Sequence, residues 1–329
     1  MGRFHRNMAW AIGESWLRRT ILRAKIPRTL HIEVTNKCQL SCAGCYSLTK
    51  ETGSWTTDNL SKLIGEAEAL GIKQFSLTGG EPLLEAGTVL AVTRKHSGSA
   101  FLLVTNGLAI NKDLVSAIAG VGNIGVLVSH DGPATDELRG SGVKLAAETA
   151  ITCLKEGSVF VGASIRVSQE TAPYVLTNSF LKKLADLGVK LAIFAPLLPG
   201  SPGLTKLDDK ERSELPRLVK NLGRKYGIRA VVPCGGGEKS CAGGGLVAAI
   251  AADGSAMPCP HIRFSTHHWP TTSLKDILDS PFFCKMATPR TPVSAGRSCL
   301  VLDRAEELQT LLKQHKAKQI EPTKLHLYE

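Results

Sequence analysis

Short β-branched and apolar runs alternate with longer amphipathic stretches through the first two thirds of the chain. The run TLHIEVT at 29–35 has the composition of a strand, and 58–70 has apolar residues at helical spacing, with a cap near Thr57 or Asp58. The alternation predicts strands at 29–35, 72–78, 100–105, 123–129, 159–167 and 189–195, and helices at 58–70, 84–96, 112–119, 143–156 and 174–187.

Strands that alternate with helices at this spacing imply parallel pairing through βαβ crossovers. Six such units in about 170 residues favour an α/β fold, a partial (β/α)6 barrel whose functional residues lie at the C-terminal ends of the strands. The segment GVGNIG at 120–125 matches G-x-G-x-x-G, but a helix precedes it and a strand follows. The dinucleotide-binding fingerprint needs the opposite order, so we interpret this segment as a tight loop.

The pattern changes after PGSPG at 199–203. A charged helical stretch at about 208–226 leads to the Gly- and Cys-rich segment 234–245, and an apolar run then ends in Asp253-Gly254, a hairpin signal.

We predict a basic amphipathic N-terminal segment that packs on the barrel or touches an anionic membrane or partner. The predicted parts are this segment (1–28), the barrel core (29–205), a connecting helix (206–232), a small Cys-rich C-terminal domain (233–300) and a closing helix and tail (301–329).

Composition narrows the class of protein further. Hydrophobic residues make up 43% and charged residues 21%, which is typical of globular proteins, and the net charge of +11 favours an anionic partner. No apolar run is long enough for a transmembrane segment, and the N-terminus lacks the apolar core of a signal peptide. Nine cysteines, eight of them in two groups, are too few for a disulfide scaffold, so we expect cytoplasmic localisation and metal or redox chemistry.

Three cysteines follow the first strand at close spacing: Cys38, Cys42 and Cys45. Soft thiolates at this spacing can bind an iron–sulfur cluster, and three of them leave one iron of a 4Fe-4S cluster open to another ligand. A zinc knuckle, separate core thiols, or a thioredoxin-type pair of Cys42 and Cys45 are the alternatives.

The C-x3-C-x2-C pattern resembles the signature of the radical S-adenosylmethionine (SAM) superfamily, and Thr78-Gly-Gly-Glu-Pro82 after the second strand matches that family's second motif. The resemblance covers residues 29 to about 200. It implies that the three cysteines hold a 4Fe-4S cluster whose open iron binds SAM, and that Gly79, Gly80 and Glu81 hold the amino group of SAM. Gly44 departs from the family, in which an aromatic residue often precedes the third cysteine. Tyr46 is a candidate for packing near the adenine.

Further positions carry over from the same resemblance. Ser129 and Asp131 resemble the family's S-x-D-G segment, near the ribose and methionine part of SAM. Ser164 and Arg166 share one face of the fifth strand, and a guanidinium can grip the SAM carboxylate at two points. An ordinary ion pair at the strand end is the alternative for Arg166. The segment 105–107 is a weaker candidate for lining the cavity.

A second group of cysteines resembles the opening of the auxiliary-cluster domains called SPASM or twitch, through the spacing of Cys241, Gly254 and Cys259. The resemblance implies one auxiliary 4Fe-4S cluster, with a structural zinc, or three ligands plus substrate, as alternatives. Cys153 fits the core, and the loop residues His261, His267 and His268 are expected to face solvent, with metal ligation as the alternative. The implied ligands are Cys234, Cys241, Cys259 and Cys299, with Cys284 as the alternative to Cys299.

The predicted function is that of a radical SAM oxidoreductase or maturase. It would reductively cleave SAM to a 5′-deoxyadenosyl radical and abstract a hydrogen atom from a substrate, most readily a peptide or protein. A step in cofactor or small-metabolite biosynthesis is the alternative. A non-enzymatic iron–sulfur or zinc protein is more remote, because it leaves 78–82 unexplained.

The expected partners are a low-potential electron donor of the flavodoxin or ferredoxin type and a peptide or small-molecule substrate, and the positive net charge favours an acidic one. Nucleic acid is not expected as a partner. The 37 residues before Cys38 are too few for a peptide-recognition domain, so a leader peptide would need direct binding or a separate protein.

Overall fold

Nine strands form one sheet in the described part of the protein. The structure is a computed structural model that describes residues 2–20, 26–45, 53–233, 243–288 and 299–320. The strands are β1 Thr29–Thr35, β2 Gln74–Gly79, β3 Ala100–Thr105, β4 Ile124–Ser129, β5 Phe160–Val167, β6 Leu191–Pro196, β7 Arg229–Val231, β8 Val247–Ile250 and β9 Ala256–Met257. Their order is β7-β6-β5-β4-β3-β2-β1-β8-β9; strands β1 to β8 run parallel to one another, and β9 is antiparallel to β8. This sheet confirms the predicted partial barrel, which does not close among the described strands.

Helices connect successive strands, as the sequence pattern predicts. Two short 3-10 helices, Pro82–Glu85 and Gly132–Ala134, follow β2 and β4. The α-helices are α1 Arg3–Thr20, α2 Thr57–Ala69, α3 Ala86–Lys95, α4 Lys112–Val121, α5 Thr135–Arg139, α6 Val143–Glu156, α7 Ala172–Val175, α8 Asn178–Leu187, α9 Asp209–Lys225, α10 Leu274–Asp279, α11 Pro281–Met286, α12 Leu300–Asp303 and α13 Ala305–Gln314.

Local capping explains where the helices depart from prediction. The helix expected at 174–187 is divided into α7 and α8, because extended Thr177 begins a new helix and its hydroxyl accepts a hydrogen bond from Phe180 N. The cap of α2 is Thr56, one residue before the predicted position. The segment 120–125 is the predicted tight loop, in which Gly122 ends α4 in the left-handed conformation.

Each barrel strand has one face toward the helices and one toward the barrel interior. On β1, Leu30 and Ile32 are fully buried in the main hydrophobic core, while His31 and Glu33 alternate with them on the interior face. On β1 the lumen side is therefore polar.

The N-terminal helix α1 packs against the barrel. Phe4 is buried and its N–H donates to Gly122 O over 2.8 Å, while the Asn7 side chain donates to the carbonyl of Ser99 over 2.8 Å. Trp10 on the same helix is 69% exposed. Among the described helices, none has the length and apolarity that a bilayer-spanning segment needs.

The C-terminal segment extends the barrel sheet. Strand β8 pairs in parallel with β1, with Thr29 opposite Val247, and β9 returns antiparallel to β8 as the predicted hairpin. Trp269 is fully buried, lies 5.3 Å from Trp55 between ring centroids, and donates to the Glu66 carboxylate over 3.1 Å. The same hydrophobic core includes residues of the barrel and of this segment.

Because that core is shared, Trp269→Ala should lower the free energy of unfolding of the whole chain by about 3–5 kcal/mol. Urea unfolding followed by circular dichroism should show a single transition at lower urea. Trp10→Ala is the matched control, and it should change stability by less than about 0.5 kcal/mol because its side chain is mostly exposed. A separate early transition for the C-terminal segment would contradict the shared core.

Candidate active site

The cysteine loop follows the C-terminal end of β1. Cys38, Cys42 and Cys45 are all partly exposed free thiols. The loop between them is held by backbone bonds from Ala43 N to Leu138 O over 2.8 Å and from Gly44 N to Pro202 O over 2.9 Å.

Gly44 has a structural reason to be glycine. Its φ is +64°, and an added Cβ would lie 2.9 Å from Leu204 Cδ1 and 3.1 Å from Arg166 Nη1. An aromatic side chain, which is common in the family at this position, would be strained and would meet these neighbours.

The thiols are close enough to influence one another. Burial raises the pKa of Cys38, the N–H of Leu40 partly offsets this, and the charges of Glu81, Cys42 and Cys45 raise that pKa further. Burial also raises the pKa of Cys42, against the opposing charge of Arg139. A bound metal cation would relieve this repulsion between thiolates.

The donor set suits a cluster better than one ion. In the described ranges, no three Cys, His, Asp or Glu side chains are grouped as a single metal ion requires. The thiolates of a cluster bind separate irons and therefore stand further apart than the ligands of one ion. Three soft thiols on one loop fit such a cluster.

The segment after β2 lies directly against the start of the cysteine loop. Gly80 N donates to Thr35 O over 2.8 Å, and Glu81 N donates to Lys37 O over 2.8 Å. A Cβ on Gly80 would lie 2.2 Å from Lys37 O, and one on Gly79, whose φ is +125°, would lie 2.3 Å from Thr35 O. The two glycines therefore permit close contact between the two predicted motifs.

Glu81 joins the end of β2 to the end of β3. One carboxylate oxygen accepts from Leu83 N over 3.0 Å and from the Thr105 hydroxyl over 2.8 Å, and the other accepts from Asn106 N over 2.8 Å. Burial raises the pKa of this carboxyl. The Asn106 side-chain nitrogen is buried and has no hydrogen-bond partner in the part of the chain that the structure describes.

A buried carboxylate organises two arginines beside the cysteine loop. Asp131 is fully buried; its Oδ2 accepts from Arg139 Nε over 2.7 Å and its Oδ1 accepts from Arg166 N over 2.8 Å. The Arg166 guanidinium in turn donates to Ala43 O within the loop. Burial alone would raise the pKa of Asp131, but the charges of Arg139 and Arg166 outweigh it and hold that pKa below its ordinary value.

The two cations make this position attractive for an anion. Burial, followed by the like charge of Arg139, lowers the pKa of Arg166. A carboxylate bound here would reduce that repulsion and accept charge-assisted hydrogen bonds. Arg139 was not predicted, because its pairing with Asp131 is a contact across a turn that no periodic pattern marks.

A cavity of about 190 Å³ opens beside these side chains. Ser129 and Ser164 lie opposite each other in the β4–β5 register and both line it. His261 also lines it, so the expectation that this loop histidine faces solvent is wrong. The cavity therefore brings together four predicted residues (Cys45, Ser129, Ser164 and Arg166) with two unpredicted ones (Arg139 and His261).

Sequence and structure comparisons identify the family. The model of the radical SAM superfamily matches residues 32–158. The sporulation killing factor maturation protein SkfB of Bacillus subtilis is 26% identical over 271 residues, which are 77% of this chain and 65% of SkfB. The mycofactocin maturase MftC of Mycobacterium ulcerans is 30% identical over 149 residues, 43% of this chain and 36% of MftC. Residues 32–158 of the chain therefore form a radical SAM domain.

Solved structures share the fold of this radical SAM protein. Streptococcus suis SuiB bound to S-adenosylmethionine aligns with a TM-score of 0.68 at 14% identity, over 84% of this chain and 71% of SuiB. SuiB bound to precursor peptide SuiA also gives 0.68, at 15% identity, over 87% and 72% of the two chains. This chain spans less than two thirds of the full length of SkfB and of MftC.

The radical SAM chain carries further cysteines after the barrel. Cys259 and Cys299 are buried, and Cys299 N donates to Asp303 Oδ2 over 2.8 Å. The Cys284 thiol lies 3.6 Å from Asp279 O, within a local helical contact. Cys153 packs against the core, as expected. The candidates Tyr46, Cys234 and Cys241 lie outside the described residues.

A second buried ion pair joins the barrel to the C-terminal segment. The Arg263 guanidinium donates to Glu33, and both side chains are almost fully buried. Burial raises the pKa of Glu33 against the charge of Arg263. Among the described residues, Glu33 Oε2 and Arg263 Nε have no hydrogen-bond partner.

The Asp131 arrangement makes a stability prediction for the radical SAM barrel. Asp131→Asn should destabilise the apoprotein by about 3–5 kcal/mol at pH 7, because it leaves buried arginine charge uncompensated. The folded-state pKa is depressed, so this contribution is present above the ordinary carboxyl pKa of about 3.9 and is lost as the pH falls through the lower value. The difference from wild type should therefore shrink below about pH 4, measured by urea unfolding.

Asp186→Asn provides the control at an exposed carboxylate paired with Lys182, and it should cost no more than about 1 kcal/mol. An Asp131→Asn effect as small as that of the control would contradict the organising role of Asp131.

Proposed function

We propose that this chain binds a 4Fe-4S cluster through Cys38, Cys42 and Cys45 and reductively cleaves SAM to start radical chemistry on a peptide substrate. The observation that carries the proposal is the placement of three thiols beside the Asp131–Arg139–Arg166 group, at the mouth of a parallel barrel. When bound, the reduced cluster would supply the electron that splits the sulfonium of SAM into methionine and a 5′-deoxyadenosyl radical.

The arginines beside the loop would position SAM. Arg166 is anchored at both ends, through its N–H to Asp131 and its guanidinium to Ala43 O, so its charge is held next to the cysteines. A planar guanidinium suits a carboxylate, and Arg139 supplies a second cation. Gly79, Gly80 and Glu81 would hold the amino group from the opposite side of the cysteine loop.

The cavity walls would protect the reaction from water. Leu197 and Leu198, which follow β6, line the cavity, and so does His261 from the C-terminal segment. Water exclusion is required because an exposed primary radical would react with solvent or side chains. Hydrogen abstraction would therefore take place within the barrel.

A peptide substrate has the support of several relatives. They include a sporulation killing factor maturation protein, a PqqA peptide cyclase of Bradyrhizobium diazoefficiens and a structure of SuiB bound to a precursor peptide. Small-metabolite biosynthesis is the second candidate, because a probable GTP 3′,8-cyclase of Methanopyrus kandleri is 26% identical over 64% of this chain. Turnover with a precursor peptide, compared with nucleotide substrates, would separate the two.

The proposal also implies an electron donor and an auxiliary cluster. Cleavage of SAM needs an electron, so we expect a flavodoxin- or ferredoxin-type donor. The later cysteines would hold an auxiliary 4Fe-4S cluster, with Cys299 favoured over Cys284 as fourth ligand because it stands after a helix, where the auxiliary-cluster family usually returns a cysteine. Cys234, Cys241 and Cys259 would complete that site.

The central test is a Cys38/Cys42/Cys45→Ala triple variant, compared with wild type after anaerobic reconstitution. Iron should fall from roughly eight to about four per chain, and 5′-deoxyadenosine formed with SAM and dithionite should disappear. A fall from about four irons to none would keep the radical reaction and remove the auxiliary cluster. Zinc in place of iron, with no SAM binding, would overturn the proposal.

Arg166→Lys tests how SAM is held. The charge remains but the two-point grip is lost, so the Kd for SAM should rise about tenfold or more while iron per chain stays unchanged. Equilibrium dialysis under anaerobic conditions gives this value, and Arg217→Lys on the outer surface should leave it unaltered. Unchanged SAM affinity in Arg166→Lys would show that another group holds the carboxylate.

A further inference from the structure

A groove of about 680 Å³ lies outside the barrel, between helix α9 and strand β7. Strand β7 is the last strand of the sheet on this side, so one of its edges has no neighbouring strand among the described residues. The groove does not include any residue that we place in the radical site.

Four cations line this groove: Arg217, Lys220, Arg224 and Arg229. All four are exposed, and none pairs with a described carboxylate. Arg212 on the same helix, in contrast, pairs with Asp209 and Asp303. Arg224 lies in the last turn of α9, where a cation interacts favourably with the helix dipole. The helix dipole does not explain the positions of Arg217, Lys220 or Arg229.

The groove floor includes the outer edge of β7, whose residues Ala230 and Val231 are half-buried. In the parallel register, Arg229 lies opposite Leu191 and its N–H donates to Lys190 O over 3.0 Å. Since adjacent residues of a strand direct their backbone groups to opposite sides, Ala230 N–H and C=O point away from β6. An extended chain can add to such an edge through main-chain hydrogen bonds.

The other lining residues favour a peptide over nucleic acid. They are aliphatic, among them Ile228, Val231 and Val232, and no aromatic side chain for base stacking is among them. In an extended peptide, acidic and aliphatic residues that alternate would place carboxylates near these cations and aliphatic side chains near the apolar strand edge.

We propose that this groove binds an acidic, extended segment of the peptide substrate, which adds as a strand to β7 and pairs its carboxylates with the four cations. The inference rests on the proposed peptide-modifying function and gives that substrate a binding surface outside the radical site. Anchoring a distant part of the substrate would hold the reacting residue near the barrel without a contact at the reacting atoms.

The test measures binding without turnover, by fluorescence anisotropy on reconstituted protein lacking SAM and reductant. The probe is a fluorescein-labelled peptide of about six residues, alternately glutamate and valine, long enough to cover the edge strand. Arg217→Glu/Arg224→Glu should weaken binding roughly tenfold or more, and Arg217→Gln/Arg224→Gln should weaken it less. SAM cleavage, assayed separately, should be unchanged in both variants, so failure of this proposal is distinguishable from failure of the radical function.

Arg94→Glu/Lys95→Glu is the matched control, because it makes the same change in net charge at the last turn of another helix. At a salt concentration that screens long-range charge effects, this control should leave the affinity for the probe within about twofold of wild type. If probe binding were weakened equally in this control, net charge alone would explain the effect, and the proposal would be overturned.

Probes methylated on the amide nitrogens of alternate residues test the strand geometry. Because only alternate residues face the neighbouring strand, one methylated register should lose binding and the other should keep it. Equal binding of both registers would exclude strand addition.

Tighter binding of an RNA oligonucleotide, with the same sensitivity to Arg217→Glu/Arg224→Glu, would assign the groove to nucleic acid. Slower reduction by flavodoxin with unchanged probe binding would assign it to the electron donor.

Discussion

The buried Asp131 carboxylate is the group on which the geometry of the site depends. One oxygen accepts from the backbone of β5 at Arg166, and the other holds the Arg139 side chain. This group is connected to the cysteine loop at Ala43, whose carbonyl accepts from the Arg166 guanidinium and whose N–H donates to the carbonyl of Leu138, the residue before Arg139. Around the thiols the loop has no regular secondary structure of its own. A buried ion pair adds little net stability, but it defines where its members lie. Its value here is the placement of two cations beside three thiols.

The second constraint is the close contact between the cysteine loop and the segment after β2. Gly79 and Gly80 bring the backbone of this segment against Thr35 and Lys37, and no other residue would fit without displacing that backbone. The two motifs are thus one structural unit. Glu81 extends it to the end of β3, so the strand ends that surround the barrel mouth are hydrogen-bonded to one another.

The C-terminal segment completes the cavity because it is part of the barrel's own core. Strand β8 pairs with β1, Trp269 packs on Trp55, and Arg263 pairs with Glu33 inside the barrel. This fixed attachment lets His261 reach the cavity that Cys45 and Arg166 line. A cavity of about 190 Å³ leaves little room for a whole peptide, so a peptide substrate would need contacts outside it, such as the basic groove beside β7.

Local sequence determined the elements and the chemistry of the thiols. Period-two and helical spacing place β1 and β3 at their observed bounds, and the two short motifs stand at the ends of β1 and β2, where a parallel sheet must bring them together. The predicted site residues Cys45, Ser129, Ser164 and Arg166 meet at one cavity for the same reason. Only the tertiary structure decided that Arg139 and His261 join them, that Gly44 has no room for a side chain, and that the four cations of the α9–β7 groove have no carboxylate partner among the described residues. These features depend on contacts between residues distant in sequence, and on which charges find partners, and neither leaves a periodic signal in the chain.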